Sequence, residues 1–282
     1  MSFPLPDRAK ALSALKERVR RLEAGSGHEG EGSGIDLGVA ALATALPAGR
    51  LARARVHEVV GEARSEVRDA ASNGFVVALL VRLLRESPAS KPVLWLPRSG
   101  GGLGGGLYGH GLRALGLAPE RLILVDAREE DERFQLLEEA LACSGLAAAV
   151  AEFDPEAGTV GAQADRAYRR LQLAAERGGV TGFLLRPRTK KADVRAEQSS
   201  SSSLLETRWR VVSASSEGLG AHDWRPVWRV ELERARRGRP GAWDLIWDAA
   251  RGGFASLEQA RQVAQMDRIS DRTGRWQEEA VA

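Results

Sequence analysis

Residues 56–86 read VHEVVGEARSEVRDAASNGFVVALLVRLLRE, a short apolar strand pattern followed by a helix pattern. We predict a strand over residues 56–60 that ends at Gly61. The next apolar stretch predicts a helix over residues 69–86, which is apolar on most sides and therefore buried. A buried strand followed by a buried helix is typical of an α/β protein.

The same alternation continues along the chain. Each further strand pattern is a continuous apolar run, which is typical of parallel strands covered on both faces. The predicted buried strands are residues 93–96, 122–126, 146–153 and 180–185, and the predicted helices between them are 130–143 and 163–177. We therefore predict a mostly parallel sheet with helices on both faces.

The pattern changes after residue 227, where apolar and charged residues alternate with the period of two that an exposed sheet shows. The turn sequence RARRGRPGA, residues 234–242, separates two such segments, and this predicts an antiparallel hairpin with one buried aromatic face. Ser256 to Gln259 form a plausible helix-capping box, followed by a polar tail that we expect to be disordered. The apolar positions of the hairpin are Trp228, Val230, Leu232, Trp243, Leu245 and Trp247.

The N-terminal segment carries one apolar helix face on an otherwise charged helix. We expect residues 1–24 either to pack on their own domain or to dock on a neighbouring subunit or partner. Residues 25–34, GSGHEGEGSG, are typical of a flexible linker, which favours docking. The main domain is then predicted over residues 35–252, with a short helix and tail over 253–282. The apolar positions of the docking helix are Leu12, Leu15, Val19 and Leu22.

The segment after the first strand has the place of a phosphate-binding loop but not its residues. Such a loop needs a second glycine, a lysine and a hydroxyl residue for phosphate and Mg²⁺. Gly61 is present, but Glu66, Val67 and Arg68 stand where the other three belong. Asp154 follows a predicted strand. A role as a turn residue at the end of this strand is a simpler interpretation than a role as a Mg²⁺ ligand. We expect no cofactor, no metal and no catalysis, against the alternative of an active ATPase.

Composition excludes several other classes. The single cysteine, Cys143, allows no internal disulfide, and together with four scattered histidines it makes no zinc site. No apolar run approaches the roughly 20 residues of a membrane helix, so we expect a cytoplasmic protein. The spacing of Gly104, Gly106 and Gly109, with Asp126 further on, imitates a dinucleotide fingerprint. A glycine-rich run produces such spacing by chance, so this signal is weak.

Charge is unevenly distributed. Residues 186–239 hold 13 Lys and Arg against 7 Asp and Glu, whereas residues 120–156 hold 3 Arg against 11 acidic residues. The basic segment is either a solvated mobile loop or a contact for an acidic partner surface or a phosphate backbone. It lacks aromatic residues for base stacking, so single-stranded DNA binding would be weak. The candidate partner- or DNA-binding residues are Arg186, Arg188, Lys190, Lys191, Arg195, Arg208 and Arg210.

Several long runs resemble the ImuA family, which is similar to RecA and to the division inhibitor SulA. The resemblance covers about residues 5–250. The matching runs include VHEVVGEA, VLWLP, LYGHGLRALGLAPERLILVDA, LLEEALACSGLAAAVAEF, RRLQLAAERGGVTGFLLRP, ETRWRVVSASS and WRVELERARRGRPGAWDLIW. The glycine run at residues 100–106 is longer than in typical members.

The resemblance implies a RecA-like fold and a role in SOS mutagenesis. Its implied partners are RecA, an ImuB-type relative of the Y-family polymerases and, indirectly, an error-prone DnaE-type polymerase. It also implies that Arg186 replaces the glutamine that couples a DNA-binding loop to nucleotide in RecA-like folds. The alternative function is a RecA modulator or a SulA-like division inhibitor without a polymerase partner. Self-association is a further expectation.

Overall fold

A computed structural model describes residues 34–64, 67, 68, 70–87, 91–98, 107–153, 162–188, 204–219 and 223–266. Its centre is one mixed sheet in the strand order β10-β9-β8-β7-β1-β6-β5-β3-β4, with β2 paired to β1 alone. Strands β7, β1, β6, β5, β3 and β4 are parallel, and β8, β9 and β10 add antiparallel neighbours. The strands are β1 (Val56–Arg64), β2 (Val67–Arg68), β3 (Val93–Leu96), β4 (Leu122–Leu124), β5 (Ala148–Glu152), β6 (Thr181–Arg188), β7 (Thr207–Ser213), β8 (Val227–Ala235), β9 (Gly241–Asp248) and β10 (Gly253–Ser256).

Helices lie on both faces of this sheet, as predicted. The described helices are α1 (Ala40–Ala43), α2 (Ala71–Arg85), α3 (Gly109–Ala114), α4 (Glu130–Leu141), α5 (Ala162–Gly178) and α6 (257–266). Helices α1, α2 and α3 contribute to the core of one face, and α4 and α5 to the core of the other. The fold class predicted from the sequence is therefore confirmed.

Helix α2 is the central element of the first face because it is apolar nearly all round. Phe75 packs against Trp209 and Phe254 and meets Trp228 edge-on, with ring centroids 5.5–6.0 Å apart. Trp247 contacts Phe254 and donates from its indole nitrogen to the Leu115 carbonyl, 3.0 Å away. The aromatic face of the predicted hairpin is thus buried against α2.

Helices α4 and α5 run parallel on the second face and approach each other closely at their C-terminal ends. A Cβ atom on Gly178 would lie 2.1 Å from the Leu141 carbonyl oxygen, so only glycine fits at that position. Further along, Glu138 of α4 accepts hydrogen bonds from Arg170 of α5. This close packing holds the two helices as one layer over β1, β6 and β5.

Several sequence predictions about strands need correction. The predicted buried strand at 122–126 is the three-residue edge strand β4, and Leu124 is 57% exposed. Arg208 and Arg210, which belong to the predicted basic segment, lie on β7 between β1 and β8 and not in a loop. The sheet also continues to Ser256 through β10, beyond the domain boundary predicted at residue 252.

The termini of the chain are described only in part. Helix α6 begins directly after Ser256, where the capping box predicts it. It adds Leu257 to a small core with Leu219, Val227 and Ile246, on the sheet face opposite α2. The predicted docking helix 1–24, most of the linker 25–34 and residues 267–282 lie outside the described residues. Within the described ranges, no helix is long and apolar enough to cross a bilayer.

Candidate functional site

The carboxyl ends of β1, β6, β5 and β3 meet at one edge of the sheet, where α/β proteins commonly bind nucleotides. At this edge β1 does not end at Gly61 as we predicted. It continues to Arg64 and then pairs with β2, with Ala63 opposite Arg68 and Arg64 opposite Val67. Val67 and Arg68 therefore lie in a strand rather than in a loop, and Glu66 lies outside the described residues.

This extension changes what the backbone offers to a ligand. A phosphate-binding loop presents successive backbone N–H groups that no strand partner uses, next to a helix N-terminus. Here Gly61 lies between Pro187 of β6 and Val211 of β7, and Glu62 lies opposite Arg188. The described backbone at residues 61–64, 67 and 68 therefore pairs with other strands at the place where a phosphate-binding loop would hold its ligand.

The carboxylate at the end of β5 is Glu152, whereas the sequence pattern indicates Asp154 as the residue that ends this strand. Trp95 donates to it from its indole nitrogen over 2.8 Å, and the Asn73 amide donates over 3.2 Å. The backbone N–H of Arg98 completes the set at 3.4 Å. Glu152 thereby joins the first turn of α2 to β3 and β5. The only sequence signal for it is a carboxylate at the end of the apolar run LAAAVAE, and Asp154 lies outside the described residues.

A second cluster consists of charged side chains from four neighbouring strands of the sheet, with Glu58 at its centre. Glu58 of β1 is buried, and its carboxylate lies 3.5 Å from Arg186 Nε and 3.6 Å from Arg208 Nη1. Arg208 also pairs with Glu233 of β8 at 2.9 Å. The Arg186 guanidinium lies over the rings of Phe153 and Tyr168, 5.1 and 5.6 Å from their centroids.

Tyr168 of α5 packs against this cluster through its contact with the Arg186 guanidinium. Burial raises the pKa of its hydroxyl above the usual value, and the nearby Arg186 charge opposes that rise. The neutral phenol therefore persists well above physiological pH. Ion pairs within the cluster therefore connect β6, β1, β7 and β8, and the Tyr168 ring of α5 contacts the cluster at Arg186.

Only some residues of the basic segment predicted as an exposed loop lie on strands of the sheet. Arg186 and Arg208 lie on strands with side chains only 17% exposed, and Arg210 pairs with Glu231 of β8 at 3.1 Å. The expectation of an exposed loop is wrong for these three residues, because carboxylates from distant strands hold them in the sheet. Arg188 ends β6, whereas Lys190, Lys191 and Arg195 lie outside the described residues.

His57 is buried in β1 and belongs to a chain of hydrogen bonds. Its Nε2 lies 2.8 Å from the Ala52 carbonyl, so this nitrogen carries the proton and donates. Its Nδ1 lies 2.7 Å from the Thr207 hydroxyl, which in turn accepts from the Trp209 indole nitrogen over 2.7 Å. Burial lowers the pKa of His57 from 6.5 to about 4. The imidazole is therefore neutral and fully satisfied without a metal ion.

The remaining candidates are scattered. Cys143 is buried, His110 is exposed on α3, and His28 and His222 lie outside the described residues. Among the described residues, no three His, Cys, Asp or Glu side chains cluster as metal ligands would. Gly109 begins the six-residue helix α3, Asp126 is exposed beyond β4, and Gly104 and Gly106 lie outside the described ranges.

Comparison with known proteins adds to this geometry. Two proteins named "Protein ImuA", from two strains of Caulobacter vibrioides, are each 37% identical to this chain over 238 residues. The match covers 82% of this chain and 90% of each relative. No family model matches the chain.

Among solved structures, the crystal structure of the RadB recombinase matches this fold with a TM-score of 0.51. The match covers 78% of this chain and 98% of RadB, at 19% sequence identity. At that identity the likeness concerns the fold alone, which is RecA-like.

Proposed function

Because this chain belongs to the ImuA family, we propose that it is a non-catalytic adaptor in SOS-induced translesion DNA synthesis. In this role it links RecA to an ImuB-type protein and, through that protein, to an error-prone DnaE-type polymerase. It acts by binding its partners rather than by hydrolysing nucleotide.

The observation that carries the non-catalytic part is the β1–β2 hairpin at the place of a phosphate loop. The described residues of this hairpin, 61–64, 67 and 68, are paired with neighbouring strands, so they do not offer the row of unpaired backbone N–H groups that binds phosphate in RecA-like ATPases. Glu152 supports the same proposal, because the protein's own donors occupy the carboxylate that would otherwise position Mg²⁺ or water.

We expect the full chain to show neither specific ATP binding nor ATP hydrolysis. Calorimetry with about 1 mM ATP and Mg²⁺ should show no saturable binding, since the described part of the β1–β2 hairpin offers phosphate no row of unpaired backbone N–H groups. A coupled phosphate-release assay should give the rate of a buffer blank.

Glu152→Gln is the matched control because it keeps the size of the side chain but removes its charge. Residual activity from a contaminating ATPase would be the same in both preparations. A Mg²⁺-dependent rate that the parent shows and Glu152→Gln lacks would contradict the proposal.

Partner binding is the positive part of the proposal. We assign it to residues 1–24, whose apolar face includes Leu15 and Val19, and to the basic residues Arg188, Lys190, Lys191 and Arg195. The support is the sequence pattern: an amphipathic helix next to a glycine-rich linker, and a local excess of positive charge.

We expect removal of residues 1–24 to weaken binding to an ImuB-type or RecA protein by at least about tenfold, because an apolar helix face contributes most of such an interface. Changing Arg188, Lys190, Lys191 and Arg195 to serine should weaken RecA-filament binding and flatten its salt dependence. Surface plasmon resonance against each partner measures both effects. A variant with Arg236, Arg239 and Arg251 changed to serine is the control for loss of exposed charge elsewhere.

The two partners separate the candidate functions. Binding to RecA without any binding to the ImuB-type protein would favour a RecA modulator over an adaptor. Unchanged binding of both altered chains to both partners across the salt range would contradict the assigned surfaces.

A further inference from the structure

We propose that the layer formed by α4 and α5 is a self-complementary surface through which two copies of this chain pair. This inference is independent of the proposed adaptor function, because it concerns the outer side of the layer and not the carboxyl edge of the sheet. The residues that form the surface, which we call the α4–α5 face, are Asp131, Glu138 and Glu139 on α4 and Arg166, Arg169, Arg170, Leu173 and Arg177 on α5.

The outer side of α5 is a stripe of positive charge. Its residues recur with the spacing that places side chains on one face of a helix, opposite the buried Tyr168 and Leu171. Leu173 lies in the middle of the stripe and is 52% exposed. Arg169 and Arg177 have no ion-pair partner within the described part of the chain.

Helix α4 presents the opposite charge beside it. Asp131 and Glu139 are exposed and have no ion pair with any described residue, while Glu138 is bridged to Arg170 of α5. The layer is therefore dipolar, with an acidic helix and a basic helix side by side in parallel orientation. Helix α5 also carries two acidic residues: Asp165 is partly buried in its first turn, and Arg55 pairs with Glu176.

This arrangement decides which partner fits. A phosphate backbone lying along α5 would run beside the carboxylates of α4 and be repelled by them. A second copy meets no such conflict when its two-fold axis runs parallel to the helices, because each α4 then faces the partner's α5. A two-fold axis perpendicular to the helices would place like charges together, so charge selects one of the two pairings.

The size of the surface predicts a weak association. With helices about 18 and 26 Å long and together about 20 Å wide, the patch measures about 400–500 Å² on each copy. The interface then totals about 1,000 Å², below the 1,200–2,000 Å² of stable complexes. Because the contact depends on exposed charge, salt should weaken it strongly.

Charge reversal tests the pairing in the full chain. Sedimentation equilibrium at low salt should show a monomer–dimer equilibrium that shifts to monomer when NaCl is raised to about 0.5 M. Arg169→Glu alone and Asp131→Arg alone should each weaken dimerisation by at least about tenfold, since these two residues lie at a similar height along the paired helices and symmetry repeats each repulsion twice. The double variant faces opposite charges again and should return to within about threefold of the parent.

Both substitutions are on exposed positions, so thermal melting should be unchanged, and Glu258→Arg on α6 is the control for charge reversal elsewhere. Monomers at all concentrations, equal association of all variants, or a double variant that stays monomeric would each overturn the proposal. A labelled single-stranded oligonucleotide tests the other occupant. DNA binding that falls in Arg169→Glu and stays low in the double variant would assign the stripe to nucleic acid and overturn the dimer.

Discussion

Replacing Glu58 with leucine should lower the free energy of unfolding by about 3–5 kcal/mol, because it removes the carboxylate that pairs with the largely buried Arg186 and one of the two carboxylates that pair with Arg208. The Glu58 side chain is only 6% exposed, and Arg186 and Arg208 approach it from both neighbouring strands. Urea denaturation, followed by far-UV circular dichroism, measures the loss as a lower midpoint with an unchanged slope.

Two further variants separate this effect from a general loss of charge. Glu231→Leu removes the partner of Arg210 in a pair whose side chains are 35% and 31% exposed, so we expect a loss of at most about 1 kcal/mol. Adding Arg186→Met and Arg208→Leu to Glu58→Leu should recover most of the stability, because apolar residues of similar volume commonly replace buried ion networks without loss. If Glu58→Leu and Glu231→Leu had equal, small effects, the buried network would be unimportant for stability.

Acid should destabilise the fold through His57 by about 3 kcal/mol in total. Burial lowers the pKa of His57 from 6.5 in the unfolded chain to about 4 in the folded chain. Above pH 6.5 both states are neutral, and the full stability is present. As the pH falls from 6.5 to 4, the unfolded chain binds a proton that the folded chain does not, so stability falls by up to about 1.4 kcal/mol per pH unit.

Unfolding free energies at pH 7.5 and pH 4.5, compared between the parent and His57→Gln, isolate this contribution. The glutamine variant should be less stable at pH 7.5 but should lose about 2–3 kcal/mol less than the parent on acidification. Titration of carboxylates is common to both chains and cancels in the comparison. His110→Gln, at an exposed position, should follow the parent at both pH values. Parallel pH profiles for the parent and His57→Gln would contradict the assignment of a lowered pKa.

The parts of the fold that the sequence predicted correctly are those whose signal is local. The continuous apolar runs at 93–96 and 146–153 predict buried strands. The helical spacing of apolar residues at 163–177 predicts an amphipathic helix with one buried face. The alternation of Trp228, Val230 and Leu232 similarly predicts a strand with one buried face. Each of these signals lies within about 15 residues of sequence, and the structure agrees with each to within a few positions.

The errors concern residues whose partners lie far away in the chain. Arg208 and Arg210 belong to a segment whose composition is typical of a basic loop. In the structure they lie on β7, where they form ion pairs with Glu58, Glu233 and Glu231. The apolar run VHEVV predicts a strand that ends at Gly61. Pairing with β6 as far as Arg188 extends the strand past it.

The candidate site shows the same division. The sequence shows that residues 66–68 lack the glycine, lysine and hydroxyl of a phosphate-binding loop. This observation leads to the expectation that the chain neither binds nor hydrolyses nucleotide. Glu152 is not visible in this way, because its donors Asn73, Trp95 and Arg98 come from two other elements. Nothing in the run LAAAVAEF distinguishes a structural carboxylate from a catalytic one.

The sequence by itself determined the alternation of β1, β3, β5 and β6 with helices, the C-terminal hairpin, the resemblance to one family and the absence of a phosphate-binding motif, because each depends on neighbouring residues. Only the tertiary structure decided which charges are buried, where β1 ends and which carboxylate lies at the sheet edge. The physical reason is that an ion pair or a strand register joins residues more than 100 positions apart, such as Glu58 with Arg186 and His57 with Thr207. Their free energy depends on the burial that the assembled sheet creates.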